Sequence, residues 1–70
     1  MSGLPRAWRT ESDIRQIALG VPGNHDCLVL MTGPGEVRVL IKGAAKSVET
    51  AAGMLHDRRP INVALHVEEF

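Results

Sequence analysis

Asn24, His25 and Asp26 stand consecutively in the chain, and together they are the residue types that could hold a metal ion and a phosphate. An imidazole and a carboxylate ligate divalent cations, and metal-bound water is a nucleophile for ester hydrolysis. Two-metal hydrolysis needs many more ligands, brought together from several strand ends. The chain has three histidines, so only His56 and His66 remain to join His25. Of these, His66 falls in the last strand-like segment and is the one a fold could carry towards His25. With so few partners, His25 and Asp26 read as surface polar residues. No metal site, no cofactor and no catalytic residue is expected, and the chain is not expected to be an enzyme.

The run Val21-Pro22-Gly23-Asn24-His25-Asp26 nevertheless resembles the Gly-Asn-His-Asp signature of calcineurin-like metallophosphoesterases. That resemblance would imply Asn24 and His25 reaching two metals and a scissile phosphate. The chain departs from the family pattern in three ways. It has no Asp-x-His upstream and no Gly-His-x-His downstream. In the family the motif follows a strand and opens a helix, whereas here it follows a helical pattern and opens a strand. The chain is also too short for that family's two-layered fold. Two other segments invite chemistry and decline it. Gly33-Pro34-Gly35 lacks the Lys-Ser/Thr of a phosphate loop and no helix follows it, so it reads as a hairpin turn. Cys27 sits on an apolar face with nothing nearby to lower its pKa, so it reads as a buried thiol.

The elements that must position these residues follow from periodicity. Residues 1–9 contain Gly3 and Pro5 and no clear period, which suggests an extended arm with Leu4 and Trp8 able to pack on a following domain, 10–70. Thr10 is placed to cap a helix over Glu11–Leu19, with Asp13 at the third position of a capping box. Ile14, Ile17 and Ala18 share one helical face. Gly20 and Pro22 end that helix. Asp26–Thr32 reads as a strand that is apolar on both faces, Cys27, Val29 and Met31 against Leu28 and Leu30, and is therefore expected at the centre of the sheet. Glu36–Lys42 alternates, Val37, Val39 and Ile41 against Glu36, Arg38 and Lys42, with Leu40 among the polar residues. Val48, Ala51, Ala52 and Leu55 form the stripe of a second helix, capped by Ser47 or Thr50 and ended by Pro60. Gly53 inside it suggests close packing against another element. Ile61–Val67 alternates as a third strand, with Ile61, Val63, Leu65 and Val67 inward.

The order α-β-β-α-β predicts a small α+β domain, a three-stranded mixed sheet with two helices on one face. A crossover through the second helix sets strand three parallel to strand two. It is expected to lie on the far side of strand one, leaving strands two and three as edges. Trp8, Leu28, Leu30, Leu40 and Ala64 are then the apolar residues left on the face away from the helices, and they are the candidate protein-binding residues. Trp8, flanked by Arg6 and Arg9, also has the character of a binding hot spot.

Composition narrows the function. Eight basic residues balance eight acidic ones, so the chain lacks the electrostatic footprint of a phosphate-backbone binder, and direct nucleic-acid binding is not expected. Aromatic residues make up 3%, too few for a stacking platform. Arg6, Arg9, Arg15, Arg58 and Arg59 read as solvated surface. The single cysteine excludes an intrachain disulfide and fits a reducing cytoplasm. No apolar run approaches a membrane span or a signal peptide, so no membrane association is expected. Near-zero net charge in a small domain favours association, and a homodimer through strand three or the uncovered sheet face is expected.

The pattern also resembles the extreme C-terminal domain of the α subunit of bacterial replicative DNA polymerase III. The stretches that carry it are 14–19 with Pro22-Gly23, then 27–30, 36–41 with Gly43, 48–50 and 61–65, within about residues 10 to 69. The connection from Gly43 into the second helix and the end of that helix are both short beside the family. The resemblance implies an excised domain or a free-standing relative that does no chemistry and docks a protein, as that region does with the clamp-loader τ subunit. A protein-interaction module of the replication machinery is the function this implies. The rival is a free-standing small phage- or plasmid-type protein that binds and regulates a host complex.

Overall fold

The computed structural model describes residues 4–69; Met1 to Gly3 of the expected arm and Phe70 lie outside the described residues. Thr10 caps the first helix, α1 (Glu11–Leu19), its Oγ1 accepting from the Asp13 N–H at 3.1 Å. Glu11 and Asp13 lie in the first turn, where the helix dipole favours negative charge. Strand β1 (His25–Gly33) and strand β2 (Glu36–Gly43) form an antiparallel hairpin. Its turn has Pro34 at the second position and Gly35 at the third with φ +68°, the backbone region that glycine enters without penalty. The ladder slips by one residue between Met31 and Gly33.

After β2 come helix α2 (Ala45–Arg58) and strand β3 (Ala64–Glu69). The sheet order is β1-β2-β3, with β3 parallel to β2 and directly paired to it. Both helices cover the same face, α1 over β1 and α2 over β2 and β3. The fold is the expected α+β domain, but its centre is β2, not β1. Val37, Val39 and Ile41 of β2 are fully buried between the helices, with Ile14, Ala18, Val48, Ala51 and Leu55 packed against them. The outer edge of β1 is partly occupied at both ends. Arg15 Nε donates to the Cys27 carbonyl at 3.2 Å, and the Met31 N–H donates to Glu11 Oε2 at 3.2 Å. Side chains of α1 thus take two of the outward backbone groups that a third strand would need.

Four further expectations are corrected. The arm is not extended throughout: Arg6–Trp8 forms a turn of 3₁₀ helix, and Trp8, 2% exposed, lies in the core with Leu4 against it. Helix α2 begins at Ala45 without a side-chain cap, so neither Ser47 nor Thr50 is its N-cap. Thr50 lies inside the helix and returns its hydroxyl to the Lys46 carbonyl at 2.9 Å. Gly53 packs against nothing; a Cβ built there meets no atom within 4 Å. Strand three starts at Ala64, and Ile61 sits in the preceding turn, 98% exposed. No helix among the described residues is long and apolar enough to cross a membrane.

Candidate docking face

His25 begins β1 directly beside the end of α1. Its Nε2 lies 2.6 Å from the Ala18 carbonyl oxygen. A carbonyl only accepts, so that nitrogen carries the proton and donates. The Ala18 carbonyl, which also accepts from the Val21 N–H at 3.3 Å, is thereby tied to the start of β1. Nδ1 is buried with no hydrogen-bond partner. Asp26 is also engaged. Its Oδ1 accepts from Arg15 at 3.2 Å and from the Cys27 N–H at 2.9 Å. The Arg15 hydrogen bond, then the Cys27 N–H, hold its carboxyl below the ordinary value of 3.8. His66 lies opposite Arg38, on the far strand and towards the other end of the sheet from the His25–Gly43 pair. The fold does not bring it to His25. Among the described residues no group of three His, Cys, Asp or Glu could hold a metal ion. Cys27 is buried, and burial pushes its thiol up. These residues brace α1 against β1.

The other face of the sheet carries no helix. Alternation along β1 and β2 puts Leu28, Leu30 and Leu40 there. Leu28 is directly opposite Leu40, and Leu30 is two residues along the same face of β1. Leu28 is 51% and Leu30 37% exposed, and Leu40 is half-buried by its neighbours on both sides. Charged residues border the leucines: Asp26 opposite Lys42 at one end, Arg38 opposite Leu30 at the other, and Glu68 beside Leu40 on β3. An apolar centre with a charged rim is the anatomy of a protein-binding patch.

Of the five residues singled out in the sequence, three therefore meet. Ala64 is exposed on the same face but pairs with Glu36, so Arg38 and His66 separate it from Leu40. Trp8 is not on this face at all, being buried on the helical side. Its neighbouring arginines did not mark it as a contact residue. Large apolar groups in a chain with so few aromatics are drawn to the core first. The rim, Asp26, Arg38, Lys42 and Glu68, was missed. Its signal was the alternation itself, which fixes the charged residues on the same face as the leucines.

Comparison of the sequence with protein-family models and with characterised proteins gives no match.

Proposed function

We propose that this chain is a non-enzymatic protein-interaction module and that Leu28, Leu30 and Leu40 are the centre of its docking surface. The observation that carries the reading is the contiguity of those leucines on a sheet face without helices. β-Leucines of a central, doubly covered strand would be buried; here β1 is an edge and its second apolar face is left to solvent. Leu28 and Leu30 are already partly covered, so each forgoes about 0.5–1.5 kcal/mol of burial that a partner could recover. The opposed chemistry supports it too: the histidine and carboxylate nearest to a catalytic motif are bound within the fold. The resemblance to the τ-binding domain of the polymerase α subunit points to the replication machinery as the setting.

The test is direct binding. The purified clamp-loader τ subunit is passed over the immobilised chain, in parallel with Leu28→Glu and Leu40→Glu variants. Binding that both variants abolish supports the face and the setting. Absence of binding removes the replication setting, and binding that ignores both substitutions removes the face.

A further inference from the structure

The two sheet edges are treated differently by the fold. On β1 the backbone groups of Cys27 and Met31 that point away from β2 are taken by side chains: Arg15 on the Cys27 carbonyl, Asp26 on the Cys27 N–H, Glu11 on the Met31 N–H. On β3 the Ala64 N–H donates to the Gly35 carbonyl of the hairpin at 2.7 Å. In a parallel ladder this turns the backbone groups of Ala64, His66 and Glu68 towards β2. Those of Leu65, Val67 and Glu69 then point outward. Among the described residues no side chain reaches the outward groups of Leu65 or Val67; the nearest such bond, Arg59 to the Val63 carbonyl, stops one residue before β3. An edge left open in this way is a template for another strand.

The side chains flanking Val67 select both the occupant and the register. We propose that β3 pairs antiparallel with β3 of a second copy of this chain, about a two-fold axis at Val67. His66 of each copy then lies opposite Glu68 of the other. Val67 faces its own copy as a hydrogen-bonded pair, and His66 and Glu68 form the two flanking pairs that exchange no backbone bonds. Those pairs bring side chains closest, with Cα atoms about 4.5 Å apart. The neighbouring registers that keep the outward groups paired put His66 opposite His66, or Glu68 opposite Glu68. Two glutamates directly opposed are unfavourable, whereas an imidazole N–H can donate to the carboxylate across from it. The helical layer fits the same axis. Val67 lies in a groove with Ala45, Val48, Glu49, Ala52 and His56 of α2. Ala45 and Ala52 are small enough for α2 of the second copy to approach. Glu49 and His56 bracket Ala52 in the chain, so a two-fold near Ala52 sets each opposite the other. The product is a continuous six-stranded sheet. It closes the open edge and carries both leucine patches on one face. This inference does not depend on what binds those leucines.

Sedimentation equilibrium of the full chain tests it, with circular dichroism verifying that each variant is folded. The wild-type chain is expected to dimerise with a Kd in roughly the micromolar range. His66→Glu sets two glutamates opposite each other at both symmetric pairs, and Glu68→Lys sets Lys against His66. Each should weaken the dimer about tenfold or more. The double variant His66→Glu/Glu68→Lys sets a complementary pair across both positions and should return the Kd to within about threefold of wild type. Leu28→Glu should leave the dimer intact. A wild-type chain still monomeric at roughly 500 μM overturns the proposal. So does a dimer that ignores the single substitutions, one that the double variant fails to restore, or one that Leu28→Glu dissociates.

Discussion

Gly43 and Gly53 should respond to alanine with opposite signs. Gly43 ends β2 at φ +152°, a region that residues with a side chain rarely enter. It pairs with His25, and a Cβ there would run into the Asn24 carbonyl oxygen and lie 2.5 Å from His25 Cα. Both are backbone atoms, so no rotamer change relieves the overlap. The Asn24 oxygen also accepts from the Ala44 N–H at 2.9 Å, the bond that sets α2 off from the sheet. Strain of this kind costs about 1–3 kcal/mol, and shifting the start of β1 adds to it, so Gly43→Ala should cost about 2–4 kcal/mol. A domain of this size holds about 4–10 kcal/mol in all. Its melting temperature should fall by roughly 10–30 °C. Gly53 lies within α2, and its Cβ would meet nothing. There alanine gains only helix propensity, about 0.8–1 kcal/mol, and the melting temperature should rise by roughly 4–8 °C. Thermal and urea unfolding of both variants, followed by far-ultraviolet circular dichroism, measure the pair. Shifts of the same sign, or a neutral Gly43→Ala, would refute the reasoning.

Three other outcomes follow from the same structure. Trp8→Ala should destabilise the domain by about 3–5 kcal/mol, as loss of a buried aromatic does, and a change under about 1 kcal/mol in urea unfolding would place Trp8 outside the core. Asp26 has its folded pKa lowered by Arg15, so its contribution to stability is in place above the ordinary 3.8 and is lost as pH falls through the lower folded value. Asp26→Asn should therefore flatten the acid limb of the stability–pH curve, and an unchanged slope would disprove the linkage. With Mn, Mg or Zn the chain should hydrolyse no generic phosphate ester, while His25→Ala should cost about 0.5–1.5 kcal/mol through its lost bond to the Ala18 carbonyl; hydrolysis that disappears in that variant would reverse the assignment.

Much of the fold was legible in local sequence. Thr10, Asp13 and Gly20 mark the ends of α1 because capping and chain termination are decided within a few residues. Pro34-Gly35 marks the hairpin for the same reason. The faces of β1 and β2 were legible because a strand alternates with a period of two, so Leu28 and Leu30 share a side, and matching the apolar faces of the hairpin puts Leu40 with them. That sharing is the part of the docking face visible without a structure.

What covers a face is a different matter. The two apolar sides of β1 suggested a central strand, yet burial on both sides requires neighbours that periodicity does not name. Glu11 and Arg15 reach the outer edge of β1 only once α1 has folded back over it, and their bonds to Met31 and Cys27 leave β3 the edge of β2. The same dependence put Trp8 in the core and left Ile61 in solvent: each is apolar, and only the chain's path before α1 and after α2 determines which finds a cavity to fill. The turn residues and the strand period belong to the sequence by itself, because neighbouring dihedrals set them. Strand order, the guarded edge and the exposed leucines belong to the tertiary structure, because they arise from contacts between segments far apart in the chain.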